Sequence, residues 1–199
     1  MHQVFLVDDD PDVRKAFCRT LREEGWSVEM FDSAEEFLNR PDPGTYGCLV
    51  LDVTMPGLNG LELQRRLVET GKALPIVFVT GAGDIPMTVQ AIKAGAADFL
   101  TKPVSSEVLS AAVRAAFERD EAVRQANSVR DAMRARLSTL TAREREVLVG
   151  VVKGKLNKQI AADLGVVEQT IKFHRTRIME RMKANTLAEL MHIAAQLDL

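Results

Sequence analysis

Five short apolar runs, separated by longer amphipathic stretches, limit the folds open to the first part of this chain. The runs are Val4–Val7, Val28–Phe31, Cys48–Leu51, Ile76–Val79 and Phe99–Leu100. Continuous apolar runs of this length are typical of strands that are buried on both faces of a parallel sheet. Helical patterns follow the runs near residues 11–24, 34–40, 58–70, 85–95 and from 105 onward. The alternation predicts an α/β doubly wound five-stranded parallel sheet, with ligands bound beyond the carboxyl ends of its strands.

The sequence after Pro103 has an entirely helical pattern. Residues 107–138 contain neither Gly nor Pro, and apolar residues recur at helical spacing between Ala122 and Leu140. We expect the last helix of a first domain, 1–118, to continue through a helical linker at 119–138. A break near Asp120–Glu121, where charge is dense, is the alternative.

The last sixty or so residues form a second, all-α domain in this interpretation, 139–199. Its four expected helices lie near 141–153, 157–164, 168–183 and 186–197. Thr141 and Glu144 have the spacing of a capping box, which marks a helix start. Leu164-Gly165 separates two short helices, as in a helix-turn-helix.

The charge of the chain is distributed unevenly between the two halves. Residues 1–120 carry 12 Lys and Arg against 19 Asp and Glu, a net charge of −7, whereas residues 121–199 carry 14 against 9, a net charge of +5. An acidic half joined to a basic half indicates different partners for each. A metal ion or phosphoryl group suits the first half, and a polyanion suits the second.

Membrane and export signals are missing from the sequence. No apolar run approaches the roughly 18 residues that span a bilayer, and the start of the chain does not resemble a signal peptide. We therefore expect a cytoplasmic protein without a membrane partner. Cys18 and Cys48 are too few for a disulfide framework, so both are expected to be buried thiols.

Carboxylates follow two of the predicted strands. Asp8, Asp9 and Asp10 come directly after the first strand, and Asp52 comes directly after the third. If these strands are neighbours, several carboxylates share one pocket, and they repel each other unless a cation neutralises them. Mg²⁺ suits such a pocket because it accepts few carboxylates and keeps water or phosphate oxygens as its other ligands. Asp10 is more simply explained as the cap of the next helix.

Two more strand ends carry polar groups that match this pocket. Thr80 offers a hydroxyl after the fourth strand, and Lys102 offers a positive charge after the fifth. A carboxylate nucleophile, a cation, a hydroxyl and an ammonium together are the groups needed to accept a phosphoryl group. Each of these residues alone would be unremarkable, and the prediction rests on their combination.

Four motifs in order give residues 1–118 a specific resemblance to the receiver domain of two-component response regulators. They are Val-Asp-Asp-Asp at 7–10, Leu-Asp-Val-Thr-Met-Pro at 51–56, Val-Thr-Gly at 79–81 and Lys-Pro at 102–103. The stretch 81–103 resembles the FixJ/NarL branch of that family. The resemblance implies a CheY-like, flavodoxin-like sheet with the strand order 2-1-3-4-5.

The resemblance also implies a role for each matching residue. Asp52 is expected to be the phosphoacceptor, and Thr80 and Lys102 are expected to contact the phosphoryl group. Mg²⁺ is expected to be held by Asp8, Asp9, Asp52 and the backbone carbonyl of Thr54. Thr80 and Phe99 occupy the switch positions, and the Lys102–Pro103 peptide bond is expected to be cis.

The basic half contains a helix with one polar, positively charged face. Ile171, Ile178 and Met182 are placed to face a core, whereas Lys172, Arg175 and Thr176 share the opposite side. Such a helix suits the major groove of DNA, where phosphates attract it and base edges can be read.

Residues 140–197 resemble the LuxR-type helix-turn-helix through the motifs at 140–148, 157–161 and 170–175. The resemblance implies base contacts by Lys172, Phe173 and Thr176. It implies phosphate contacts by Asn157, Lys158, Thr170 and Arg177. Val167 departs from the family, which usually has Ser or Thr as a helix cap there, and Phe173 is bulkier than the usual Val.

These observations predict a DNA-binding transcriptional regulator rather than an enzyme. Its expected partners are a sensor histidine kinase, double-stranded DNA and a second copy of the chain after phosphorylation, with RNA polymerase as a further candidate. An aspartyl phosphatase is one alternative, although it usually needs a second Asp where this chain has Thr54. A phosphotransfer or interaction module whose helical tail binds protein or RNA is the other.

Overall fold

The computed structural model describes residues 2–41, 46–71, 74–81 and 85–199. The chain divides into two compact units, Met1–Ala122 and Val123–Leu199. Within the described residues, no helix combines the length and the apolar character needed to cross a bilayer. Cys18 and Cys48 are both buried free thiols, as the sequence predicted.

The first unit is built on a parallel sheet of five strands, counted over the described residues. The strands are β1 (Gln3–Val7), β2 (Ser27–Phe31), β3 (Cys48–Leu51), β4 (Ile76–Thr80) and β5 (Asp98–Thr101). Their order across the sheet is β2-β1-β3-β4-β5, which confirms the expected topology. Because β1 and β3 are neighbours with Val7 opposite Leu51, the residues that follow them emerge side by side.

Helices cover both faces of this sheet. They are α1 (Pro11–Glu23), α2 (Ala34–Asn39), α3 (Gly60–Glu69), α4 (Ile85–Lys93) and α5 (Ser106–Ser138). One buried cluster joins the sheet to α2, α3 and α4 through Phe37, Leu63 and Ala91. A second cluster joins the opposite face to α1 and α5 through Leu21 and Val113. The central strands β1, β3 and β4 are therefore buried on both faces, which explains their apolar sequences, whereas the edge strands β2 and β5 are more exposed.

Helix α5 is a single helix across Asp120 and Glu121, where a break was the alternative. The division between the two units falls within it, at Ala122. Met133 and Leu137, near its end, pack against the core of the second unit. The last turns of the expected linker therefore belong to that core, while the proposed domain limits of 118 and 138 stay predictions.

The second unit contains four further helices after α5. They are α6 (Ala142–Val152), α7 (Asn157–Leu164), α8 (Glu168–Met182) and α9 (Leu187–Gln196). The predicted capping box begins α6, with the Thr141 N–H donating to Glu144 at 2.8 Å and the Glu144 N–H donating to the Thr141 hydroxyl at 3.2 Å. Gly165 ends α7 in the left-handed region with φ of 65°, a conformation that glycine adopts without steric cost.

Candidate functional site

The carboxyl ends of β1 and β3 bring an acidic cluster together. Among the described residues, carboxylate oxygens of Asp8, Asp9 and Asp52 lie within 4.8 Å of one another. Asp8 and Asp52 are buried, whereas Asp9 is exposed. The Asp52 N–H donates to the Val7 carbonyl at 2.9 Å, so the β1–β3 ladder itself holds Asp52 beside the end of β1. Three carboxylates at this distance form an oxygen-rich set suited to a hard cation such as Mg²⁺.

Lys102 reaches into this cluster from the end of β5. Its Nζ lies 2.7 Å from Oδ2 of Asp8 and 2.7 Å from Oδ2 of Asp52. Burial alone would lower the pKa of Lys102, but the hydrogen bonds to Asp52 and Asp8 outweigh burial and raise it. Lys102 therefore stays protonated and fixes both buried carboxylates in position.

A single ammonium leaves this acidic cluster incompletely neutralised. Burial raises the pKa of Asp8 even though hydrogen bonds from Lys102 and the Asp10 N–H act to lower it. A carboxylate with a raised pKa in a group of three gains from a further positive charge. The residues present therefore fit the divalent cation that the sequence predicted.

Thr80 and Lys102 are brought together by the pairing of β4 with β5. Thr80 lies opposite Thr101 in this ladder, and the Lys102 N–H donates to the Thr80 carbonyl at 2.8 Å. Thr80 is fully buried. The Lys102–Pro103 peptide bond is cis, as expected. Phe99 of β5 is half-buried, and its ring centroid lies 6.0 Å from that of Phe78. Its role as a switch residue stays a prediction.

The loop after Asp52 stays close to this residue, as a hydrogen bond and a tight backbone approach show. Oδ1 of Asp52 accepts a hydrogen bond from the Thr54 N–H at 3.0 Å. A Cβ added to Gly60, at the start of α3, would lie 2.3 Å from the Asp52 carbonyl oxygen. Only glycine allows the chain to return this close to Asp52.

The loop at the start of α1 is also ordered by side chains. Asp10 caps the helix by accepting from the Asp12 N–H at 2.8 Å and the Val13 N–H at 3.3 Å, and these bonds lower its pKa. This confirms the capping role predicted for Asp10. The Arg14 guanidinium donates to the Asp8 carbonyl, which anchors the backbone that presents Asp8 and Asp9.

Helix α8 of the second unit separates a buried side from an exposed polar side. Ile171, Ile178 and Met182 are buried, as predicted from their spacing. Four of the residues expected to reach DNA are exposed on this helix: Lys172, Phe173, Thr176 and Arg177. Thr170 is half-buried, and no capping hydrogen bond from Val167 to a described residue precedes the helix.

The N-terminal end of α7 lies against α8. The Arg175 guanidinium donates to Oδ1 of Asn157 at 2.9 Å, and both residues are half-buried. Lys158, beside them, is exposed. Arg175, which the sequence placed on the polar side of α8, thus also positions α7.

Two family models match the chain over these same two units. The response regulator receiver domain matches residues 4–114, and the bacterial regulatory proteins of the luxR family match residues 138–194. The chain is a response regulator. Its receiver domain implies a histidine kinase partner, and its LuxR-type domain implies DNA binding.

Two relatives match this chain across both of its domains. This response regulator is 43% identical over 194 residues to response regulator protein TodT of Pseudomonas putida, covering 98% of this chain and 86% of the relative. It is 41% identical over 193 residues to transcriptional regulatory protein FixJ of Rhizobium meliloti, covering 97% and 95%. These relatives confirm the family that the sequence motifs predicted.

Two solved structures are similar to this response regulator and cover nearly all of its chain. The response regulator StyR is similar with a TM-score of 0.86 and 44% identity, covering 98% of both chains. Full-length FixJ from B. japonicum is similar with a TM-score of 0.62 and 36% identity, covering 99% of this chain and 97% of that one.

Sequence reasoning missed three residues that shape the receiver pocket. Arg14 and Gly60 are described above, and the third is Glu35 of α2, whose Oε1 accepts from the Leu58 N–H at 3.0 Å. The signal for Gly60 was present, because Asn59 and Glu62 form a capping box that places the start of α3 at this residue. Arg14 and Glu35 gave no local signal, since their contacts join separate segments.

Proposed function

We propose that this response regulator takes a phosphoryl group on Asp52 in a Mg²⁺-dependent reaction with a histidine kinase, and that phosphorylation promotes dimerisation and DNA binding. The observation that carries the proposal is the convergence of Asp8, Asp9, Asp52 and Lys102 at one edge of the sheet. The four groups come from the ends of three strands, and together they serve phosphoryl transfer.

Each residue of the pocket has a defined task. Asp52 is the nucleophile, and its backbone is held by β1 and by the close approach of Gly60. Lys102 supplies a fixed positive charge for the oxygens of the incoming group, and Thr80 supplies a hydroxyl. Asp8, Asp9, Asp52 and the Thr54 carbonyl would hold Mg²⁺, which supplies charge neutralisation when bound.

Dimerisation is supported by an exposed apolar stripe on α4. Ile85, Val89 and Ile92 lie at helical spacing and are 80%, 44% and 46% exposed. Val108, at the start of α5, is also exposed. Exposed apolar residues at helical spacing suit a helix-mediated contact between two copies. Phe99 and Thr80, in the adjoining strands, would link this face to the phosphorylated pocket.

The DNA contacts are proposed for the exposed side of α8 and the start of α7. Lys172, Phe173 and Thr176 would reach base edges. Asn157, Lys158, Thr170 and Arg177 would contact phosphates. Two copies would place two such helices on a two-fold-related site. A regulator that acts on bacterial DNA works in the cytoplasm, with RNA polymerase as the candidate partner in transcription.

The test compares full-length wild type with Asp52→Asn. Sedimentation and duplex-DNA binding are measured with and without Mg²⁺ and a small-molecule phosphodonor. Wild type is expected to dimerise and bind DNA more tightly only when both are present, whereas Asp52→Asn does neither. Asp12→Asn, an exposed acid on α1, is the matched control and should respond as wild type. Phosphodonor stimulation retained by Asp52→Asn would reject the proposal, and catalytic turnover of a phosphoester would favour a phosphatase.

A further inference from the structure

An exposed aromatic ring interrupts the polar side of α8. Phe173 is 57% exposed, and its exposed neighbours on the helix are Lys172, Thr176 and Arg177. Buried Ile171 and Ile178 on the other side show that Phe173 is not part of the core of this unit. Burial of a large exposed apolar side chain against an apolar partner is favourable, and exposed apolar surface often marks a binding site.

Two neighbouring side chains of α8 contact the Phe173 ring. The Arg177 guanidinium carbon lies 5.4 Å from the ring centroid, within the range of a cation–π contact. The His174 ring is edge-on to Phe173 with centroids 5.8 Å apart. These contacts restrict the ring before DNA binds, which lowers the entropy cost of ordering it in a complex.

We infer that Phe173 recognises the C5-methyl group of a pyrimidine in the major groove. The inference rests on the proposed DNA binding by α8 and adds a sequence preference to it. The first turns of a recognition helix contact base edges, and among the four bases only thymine presents a methyl group there, at C5. A phenyl ring placed against the donors and acceptors of these edges would desolvate polar atoms without giving them a partner. Thymine and 5-methylcytosine both carry this group.

The experiment first selects duplexes from a random library with full-length protein, Mg²⁺ and a phosphodonor. Each thymine of the selected duplex is then replaced singly by deoxyuridine, which removes only the methyl group. At one thymine in each half-site, wild type is expected to bind about fourfold more weakly, the factor that burial of one methyl-sized group supplies. In a separate arm, each cytosine is replaced by 5-methylcytosine.

Variants assign the methyl effect to Phe173. Phe173→Ala should bind the thymine and deoxyuridine duplexes equally, because it lacks the contacting ring. Val149→Ala, which truncates an exposed apolar residue on α6, is the matched control and should keep the fourfold difference. Low salt is used so that weak complexes also saturate.

Each outcome decides between defined alternatives. Loss of affinity at a thymine assigns thymine, and a gain at 5-methylcytosine alone assigns methylated cytosine. Indifference of wild type to every methyl group, or the same methyl sensitivity in Phe173→Ala, overturns the inference while DNA binding stands. Complete loss of low-salt binding by Phe173→Ala also overturns it, since one methyl contact supplies only a small factor. Failure of wild type to select any duplex overturns the proposed function as well.

Discussion

The Lys102 ammonium lies 2.7 Å from a carboxylate oxygen of Asp52, although the two residues are 50 positions apart in the sequence. The same nitrogen is equally close to Asp8, so one positive charge is shared between two buried carboxylates. Removal of one partner from such a group leaves uncompensated buried charge, which is strongly destabilising. We therefore expect the stability of the receiver domain to depend on Lys102 and on added Mg²⁺.

Lys102→Met is expected to lower the free energy of unfolding of the receiver domain by about 3 kcal/mol without Mg²⁺. Mg²⁺ should stabilise this variant more than wild type, because the cation replaces the lost positive charge. Urea unfolding followed by the fluorescence of Trp26, the one tryptophan of the chain, reports on this domain. Lys15→Met is the control for loss of an exposed lysine on α1. Equal Mg²⁺ stabilisation of wild type and Lys102→Met would refute the expectation.

Gly60→Ala is expected to destabilise the receiver domain by about 2 kcal/mol, the cost of inserting an extra carbon into close packing. The added Cβ would meet the Asp52 carbonyl oxygen at 2.3 Å, so the backbone at Asp52 or at the start of α3 must shift, and phosphodonor-dependent dimerisation should weaken. Gly81→Ala is the control for unfolding, because no described atom lies within 4 Å of a Cβ built there. The measurement is again urea unfolding, combined with sedimentation. Similar losses in the two variants would contradict this prediction.

Glu144→Gln is expected to destabilise the DNA-binding domain by about 1 kcal/mol at neutral pH, because the variant weakens the helix cap with Thr141 and loses the ion pair with Arg181. Burial acts to raise the pKa of Glu144, but hydrogen bonds from Thr141 and the nearby charge of Arg181 outweigh it and lower the pKa. Because the pKa is lowered in the folded state, ionised Glu144 stabilises the domain at pH values above its ordinary pKa of 4.5. This contribution to stability is lost as the pH falls through the lowered pKa. The difference between variant and wild type should therefore shrink in acid.

Circular dichroism of urea unfolding at a series of pH values measures this difference for Glu144→Gln. Peptide-resolved hydrogen exchange at neutral pH assigns the affected transition to α6 and α8. Glu180→Gln, an exposed acid on α8, is the control and should change stability little at any pH. A difference for Glu144→Gln that stays constant from neutral pH into acid would count against the ionic role of Glu144.

Val167→Ser is expected to stabilise the DNA-binding domain by about 1 kcal/mol. Val167 is the N-cap of α8, has extended backbone geometry and is 69% exposed, so a serine hydroxyl would cap the helix with little loss of apolar contact. Thermal unfolding measures the gain. Val149→Ser places the same hydroxyl on an exposed site within α6, where no cap is formed. Equal stabilities of the two serine variants would show that capping is not the cause.

Local patterns were sufficient to predict most elements of both domains. The central strands are apolar because both of their faces are covered, and the capping signals at Asp10 and Thr141 are short-range hydrogen bonds. The residues of the acidic pocket were identifiable because each directly follows a strand. Motif order then placed them in the receiver family, and the observed strand order agrees with it.

The sequence by itself determined the elements, the two-domain division into acidic and basic halves, and the residue types at the strand ends. Only the tertiary structure decided which segments meet: Arg14 with the Asp8 carbonyl, Gly60 with Asp52, and Arg175 with Asn157. Periodicity and capping act over a few neighbouring residues and can be read along the chain. Contacts between distant segments depend on how the packed layers bring backbones together, which no local pattern records.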